Sequence, residues 1–123
     1  MSSPPVLVAW QQKYARDVAQ IAPDPKVARQ KLELAGVHVA RANELLRRNE
    51  YDLALNSAEN ALVVSCDGIL RKDGYEVRSH VARFAYPLLP ALLLEHAALL
   101  RRTRTTRNAA QYEASGVVHA ALP

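Results

Sequence analysis

Prolines and glycines divide this chain into segments with helical apolar spacing, and that division constrains its fold more than any other feature. Pro4 and Pro5 stand where a helix can begin, and the prolines of APDP at 22–25 stop it, which predicts a first helix over roughly residues 6–21. A second helix begins after Asp24 and Pro25. Its apolar and small residues recur at alternating spacings of four and three, which is one helix face: Ala28, Leu32, Ala35, Val39, Ala42 and Leu46.

A third helix is predicted over residues 51–74, after a short connection at 47–52. Asp52 is a plausible N-terminal cap, and Gly74 is the residue type that most easily takes the left-handed conformation beyond a helix end. Small residues line one side of this helix and would let a neighbour approach closely: Ala54, Ala58, Ala61, Ser65 and Gly68. We expect the second and third helices to pair as an antiparallel hairpin.

The rest of the pattern is also helical. A short fourth helix is predicted to start near Ser79 and to be broken by PLLP at 87–90. A fifth is predicted from Ala91 to Gln111, with a core-facing set of Leu92, Leu93, Leu99 and Leu100. The prediction is therefore an all-α fold, an antiparallel helical bundle of about five helices around one long hairpin, in a single domain covering residues 1–123. One tetratricopeptide-like helix pair also fits residues 42–62, but no second copy follows at the ~34-residue period that such folds require.

Composition narrows the function classes. The net charge of +4 favours an anionic partner such as nucleic acid or nucleotide. Cys66 is the only cysteine, so no intramolecular disulfide can form, and a reducing cytoplasm is the expected compartment. The longest strongly apolar run, at 85–94, is shorter than a membrane span, so we expect no membrane association. The four histidines and the cysteine show no metal-ligand spacing, so we expect no metal site. We also expect no cofactor.

The stretch RRTRTTRNAAQYE at 101–113 is the densest basic segment. On a helix it places several side chains along one side, with Arg107 and Gln111 next to them: Arg101, Arg104, Asn108 and Tyr112. Guanidinium groups bind phosphate oxygens in bidentate fashion, while the amide and the phenol can orient a base or ribose. The alternative is a solvated basic helix end that is stabilised by the helix dipole. We call the following set of side chains the basic strip: Arg101, Arg104, Arg107, Asn108, Gln111 and Tyr112.

Three segments of the chain resemble the HEPN domains, small helical proteins of prokaryotic toxin–antitoxin and defence systems. The first is the long stretch from KLELAG to EVRSH, which is similar to the family's helical hairpin ending in Gly-Tyr and a histidine. The second is the segment NSAENAL, which contains Asn60, and the third is RTTRNAAQYE. The resemblance covers roughly residues 26–113. It implies a helical bundle that forms a homodimer, and a cognate antitoxin nucleotidyltransferase as a partner.

In many HEPN proteins an arginine followed by four to six residues and a histidine cuts RNA without a metal. Here Tyr112 stands where that histidine would be relative to Arg107, and a phenol with an ordinary pKa is a poor proton shuttle at neutral pH. The resemblance therefore implies binding of RNA or nucleotide by Arg101, Arg104, Asn108 and Asn60. A metal-independent endoribonuclease using Arg107, Tyr112 and His80 stays open, as does a non-catalytic protein-interaction or structural subunit.

Asn60 belongs to a polar row on the third helix, and two interpretations of that row remain. Its members are Asn56, Glu59, Asn60 and Asp67. The row is either the solvent edge of the helix or the wall of a polar groove.

Overall fold

The computed structural model of the chain describes residues 4–96, 98–99 and 102, and it is mostly helical with a small two-stranded sheet. The elements run α1 (Pro5–Lys13), β1 (Val18–Gln20), α2 (Pro25–Arg47), α3 (Tyr51–Asp73), β2 (Tyr75–Val77) and α4 (His80–Phe84). Residues 91–96, 98–99 and 102 are again helical. Within the described residues no helix has both the length and the apolarity to cross a bilayer.

Local chemistry sets the ends of α2 and α3. The Asp24 side chain accepts a hydrogen bond from the backbone N–H of Val27 at 3.0 Å, so α2 has a capped start with Pro25 as its first residue. At its other end Asn49 takes a left-handed φ of 62°. The N–H groups of Asn49 and Glu50 then donate to the carbonyls of Leu46 and Leu45, both at 3.0 Å, which closes a Schellman motif.

This tight turn makes the connection shorter than the predicted 47–52, and α3 already begins at Tyr51. The prediction that Asp52 caps α3 is therefore wrong: the cap position is Glu50, with no side-chain cap bond, and Asp52 lies in the first turn. A carboxylate there still suits the positive end of the helix dipole. The predicted end of α3 is confirmed, because Gly74 has a φ of 95°.

Small side chains let α2 and α3 pack closely along their length. Ala28 and Ala35 on α2 are buried, as are Ala54, Ala61 and Gly68 on α3. A Cβ atom on Gly68 would lie 3.3 Å from the carbonyl oxygen of Ala28, so the two backbones are nearly in contact there. The large members of the predicted α2 face, Leu32, Val39 and Leu46, are exposed.

The predicted first helix over 6–21 is wrong in its second half. The helix ends at Lys13, and the Tyr14 carbonyl then accepts hydrogen bonds from the N–H groups of Asp17 and Val18, at 2.9 and 3.0 Å, which turns the chain. Residues 18–20 form β1, which pairs antiparallel with β2 so that Val18 faces Val77. That pairing is the reason for the difference: these residues exchange local helical bonds for a partner strand far along the chain.

The core lies between α1, α3, β2 and α4, at the end of α3 remote from the turn to α2. Three rings meet at its centre: the Trp10 centroid is 5.1 Å from that of Tyr75 and 4.9 Å from that of Tyr86. The indole N–H of Trp10 donates to the Ala82 carbonyl at 2.9 Å, and the Tyr86 hydroxyl donates to the Asp73 carboxylate at 2.5 Å. The rings therefore anchor α1 and the segment after α4 to one another.

The start of α4 agrees with prediction, since Ser79 caps it by accepting from the Ala82 N–H at 3.2 Å. The predicted core face of the fifth helix is only partly right. Leu93 packs against the core, next to Leu89 and Tyr86, whereas Leu92 and Leu99 are exposed. Leu100 and the predicted helix end at Gln111 lie outside the described residues.

Candidate functional site

Most of the predicted site falls in a part of the chain that the structure does not describe. This holds for Arg101, Arg104, Arg107, Asn108, Gln111 and Tyr112. Arg102, from the same segment, is described, and it is helical and exposed. Of the predicted site residues, the structure therefore describes Asn60 and His80.

His80 is an exposed histidine with a fixed ring. It is the first residue of α4, directly after the Ser79 cap. Its ring stacks on Phe84, with centroids 6.0 Å apart and planes inclined by 25°. The Nδ1 atom lies 2.6 Å from Nη1 of Arg83. Packing on one side and a polar contact on the other hold the imidazole in one orientation.

Arg83 makes three polar contacts, although it is almost entirely buried. Besides contacting His80, its Nε donates to Oδ1 of Asp67 at 2.7 Å and its Nη2 donates to the Val77 carbonyl at 3.2 Å. One guanidinium thereby joins α3, β2 and α4. We call Asp67, Arg83 and His80, with the Val77 carbonyl, the Arg83 cluster.

The Asp67–Arg83 pair is a buried ion pair with additional hydrogen bonds. The side chains are 22% and 8% exposed respectively, so solvent screens the pair poorly. Removing one partner of such a pair typically costs about 3–5 kcal/mol, since the other charge stays buried and unmatched. The cluster therefore stabilises the contact between α3 and α4, and at the same time it orients His80.

The contact with Arg83 also determines which ring nitrogen of His80 carries the proton. A guanidinium has donors and no acceptor, so Nδ1 of His80 must be the acceptor in this contact. The neutral ring then carries its proton on Nε2. His80 thus presents an oriented N–H donor at the surface.

A polar cleft lies beside the cluster. It has a volume of about 210 Å³ and is lined by Lys31, Asp67, Arg71, Tyr75, Glu76 and Val77. Arg71 contacts Glu76 at 3.3 Å across this cleft. The lining holds two cations and two carboxylates, so the cleft has no strong preference for an anion.

The polar row on α3 divides between its two interpretations. Asp67 lines the cleft and holds Arg83, which fits the wall of a polar groove. Asn60 is exposed, and it lies seven residues before Asp67, which is about 10 Å along the helix axis. The structure therefore does not bring Asn60 into the Arg83 cluster with His80.

Sequence reasoning missed Arg83 altogether. Its contact with Asp67 joins residues 16 apart in different helices, and its contact with the Val77 carbonyl depends on where β2 ends. No local pattern carries that information. The weak signal was a charged residue in a short helix that is otherwise apolar after its first position.

Comparison of the chain with protein-family models, with curated proteins and with solved structures found no match in any of the three. Among the described residues there is no group of three or more histidine, cysteine, aspartate or glutamate side chains that could hold a metal ion.

Proposed function

We propose that this chain is a HEPN-like helical protein that binds RNA or a nucleotide without cleaving it. In this proposal it is an antiparallel bundle built around α2 and α3, it acts as a homodimer, and its setting is a toxin–antitoxin or defence system with a nucleotidyltransferase as cognate antitoxin. The observation that carries the proposal is the oriented Nε2–H donor of His80. The guanidinium that pairs with Asp67 also fixes this exposed imidazole, so the donor is already oriented before a ligand binds.

Binding follows from the chemistry of the ring and of the strip together. The Nε2–H of His80 can donate to a phosphate oxygen or to a ribose hydroxyl, and the stacked ring offers an aromatic face to an unpaired base. Arginines of the basic strip would neutralise phosphates of the bound strand. The order of elements supports the family: two long helices, a Gly-Tyr turn, a histidine, and a helix that leads into the strip.

The same geometry favours binding over acid–base catalysis. A general base must offer a free nitrogen, but Nδ1 of His80 is occupied by Arg83 and Nε2 already carries the proton. Purified protein in EDTA should therefore leave single-stranded RNA intact. Cleavage that disappears in Arg107→Ala would replace the binding role with the endoribonuclease alternative.

The salt dependence of RNA binding tests the basic strip. Replacing Arg104 and Arg107 with glutamine should reduce the slope of log K against log salt by about 1.4 for a single strand, because two phosphate contacts are lost. The matched control replaces Arg29 and Arg41, two exposed arginines of α2, and should leave the slope unchanged. An unchanged slope in the first variant, or no RNA retained at ~0.15 M salt, would favour a structural or protein-interaction role.

A second variant tests the role of the His80 donor directly. His80→Ala should weaken RNA binding about tenfold, because a hydrogen bond to a charged phosphate is lost, with little change in salt slope. His96→Ala removes another exposed histidine and is the control. Equal affinities for the two variants would separate His80 from the binding site.

A further inference from the structure

Three large apolar residues of α2 are exposed in a row. Leu32, Val39 and Leu46 are 54%, 49% and 53% exposed and follow one another at intervals of seven. On a helix they fall within about 40° of one another, so they form a straight ridge along α2. At its C-terminal end the ridge borders an apolar groove of about 430 Å³, whose lining includes Leu46, Tyr51, Leu55 and Ala58.

Charge is absent from this side of α2. From residue 28 to residue 46, the exposed positions within about 60° of the ridge centre are uncharged: Leu32, Gly36, Val39, Asn43 and Leu46. The charged residues of α2 lie outside this sector. Depletion of charge at an apolar centre distinguishes interfaces from ordinary surface.

Gly36 gives an independent indication. A glycine inside a helix costs about 1 kcal/mol relative to alanine. Gly36 has an exposed position, and a Cβ atom placed there would meet nothing within 4 Å, so no neighbour among the described residues requires a glycine. It lies about 40° around the helix from Leu32, on the same side, where an approaching backbone would need the space.

We propose that the ridge of α2 packs antiparallel against α2 of a second copy of this chain, with the two-fold axis at Val39. Leu32 and Leu46 lie seven residues on either side of that axis, so each Leu32 meets the partner's Leu46. Gly36 then faces the partner's Asn43, and the absence of a Cβ atom on Gly36 allows close approach. This interface is its own complement, as a two-fold contact requires. The inference rests on the homodimer in the proposed function and specifies where its subunits meet.

The available area is sufficient for a stable contact. A 23-residue helix is about 34 Å long, and α2 with α3 presents a face about 20 Å wide. That gives roughly 700 Å² per subunit, close to the ~800 Å² of a standard interface. The two α2/α3 pairs would together form a four-helix arrangement.

Sedimentation equilibrium on the full chain tests the interface with two variants of one type. Val39→Arg places a charge at the axis and should weaken association at least ~100-fold. Val37→Arg makes the same change at a 62% exposed position about 200° around the helix, and it should remain dimeric. Circular dichroism at matched concentration verifies that both variants are folded.

The possible outcomes distinguish the α2 interface from the homodimer of the proposed function. A wild-type chain that stays monomeric at 100 μM and above overturns the inference and the homodimer, but leaves the RNA-binding experiments unaffected. A dimer that survives Val39→Arg overturns the α2 interface alone. Gly36→Gln supplies a second measurement: it should raise the melting temperature of the Val39→Arg monomer and weaken the wild-type dimer, and unchanged association would contradict the close approach at Gly36.

Discussion

Cys66 shows how burial changes a single residue. Its side chain is fully buried in the core, and that burial raises the pKa of the thiol from 9.0 to about 11. The nearby Asp67 charge raises the pKa further, while Arg83 opposes it. A neutral thiol in an apolar site behaves as a small hydrophobic side chain, and it is not a nucleophile at neutral pH.

We therefore expect slow modification of Cys66 in the native protein. At pH 8 its reaction with a disulfide reagent should be at least about a hundredfold slower than in the urea-unfolded chain, because the higher pKa alone lowers the thiolate fraction by nearly that factor. Stopped-flow absorbance in native buffer and in urea measures both rates. Comparable rates would place the thiol at the surface.

At the scale of elements, a helix end or strand was predictable from the sequence when the interactions that set it are local. The starts of α2 and α4 and the end of α3 depend on nearby residues such as Asp24, Ser79 and Gly74, so they were predictable. β1 was missed because its partner lies more than fifty residues away. The Arg83 cluster was missed because it joins side chains of different elements, with Asp67 on α3 and Arg83 on α4. The predicted face of α2 includes Leu32, Val39 and Leu46, which are exposed, because apolar spacing alone cannot tell which neighbour covers a face.

Gly74 is the element end most sensitive to substitution. It has a left-handed φ of 95°, and a Cβ atom there would lie 2.9 Å from the Ile21 carbonyl oxygen. Gly74→Ala should therefore lower the free energy of unfolding by about 2 kcal/mol or more. Asn49→Gly, at the other left-handed position, is the control and should stay within about 0.5 kcal/mol of wild type. Urea denaturation measures both, and a wild-type midpoint for Gly74→Ala would show that the Ile21 contact relaxes.

At the scale of the whole molecule, two buried acids among the described residues make the fold sensitive to alkaline pH. Burial and the Asp73 contact raise the pKa of Tyr86 far above its ordinary value of 10.0, and burial raises that of Cys66. In the unfolded chain both groups ionise at their ordinary values. Unfolding therefore releases protons above pH 9, and the fold loses stability as pH rises.

The free energy of unfolding should accordingly be level up to about pH 9 and then fall through pH 11. A Cys66→Ala, Tyr86→Phe double variant, although less stable at pH 7, should lose less between pH 8 and pH 10.5 than the wild type does. Tyr51→Phe, which changes an exposed tyrosine, should keep the wild-type slope. Urea denaturation midpoints across this pH range test the prediction. Parallel pH profiles of the midpoint for the wild type and the double variant would assign the loss of stability at alkaline pH to other groups.

The position of the core along α3 has a consequence for how this chain can vary in length. The core residues of α3 begin at Leu62, so the part of the α2/α3 pair nearer the turn at 48–50 projects beyond the core and packs on itself. Removing or adding seven residues on both helices would change the relative orientation of the remaining small residues by only about 20° and leave the β1–β2 register untouched. The projecting tip can thus be shortened or extended in steps of about 10 Å, changing the reach of the ridge while the aromatic centre stays the same.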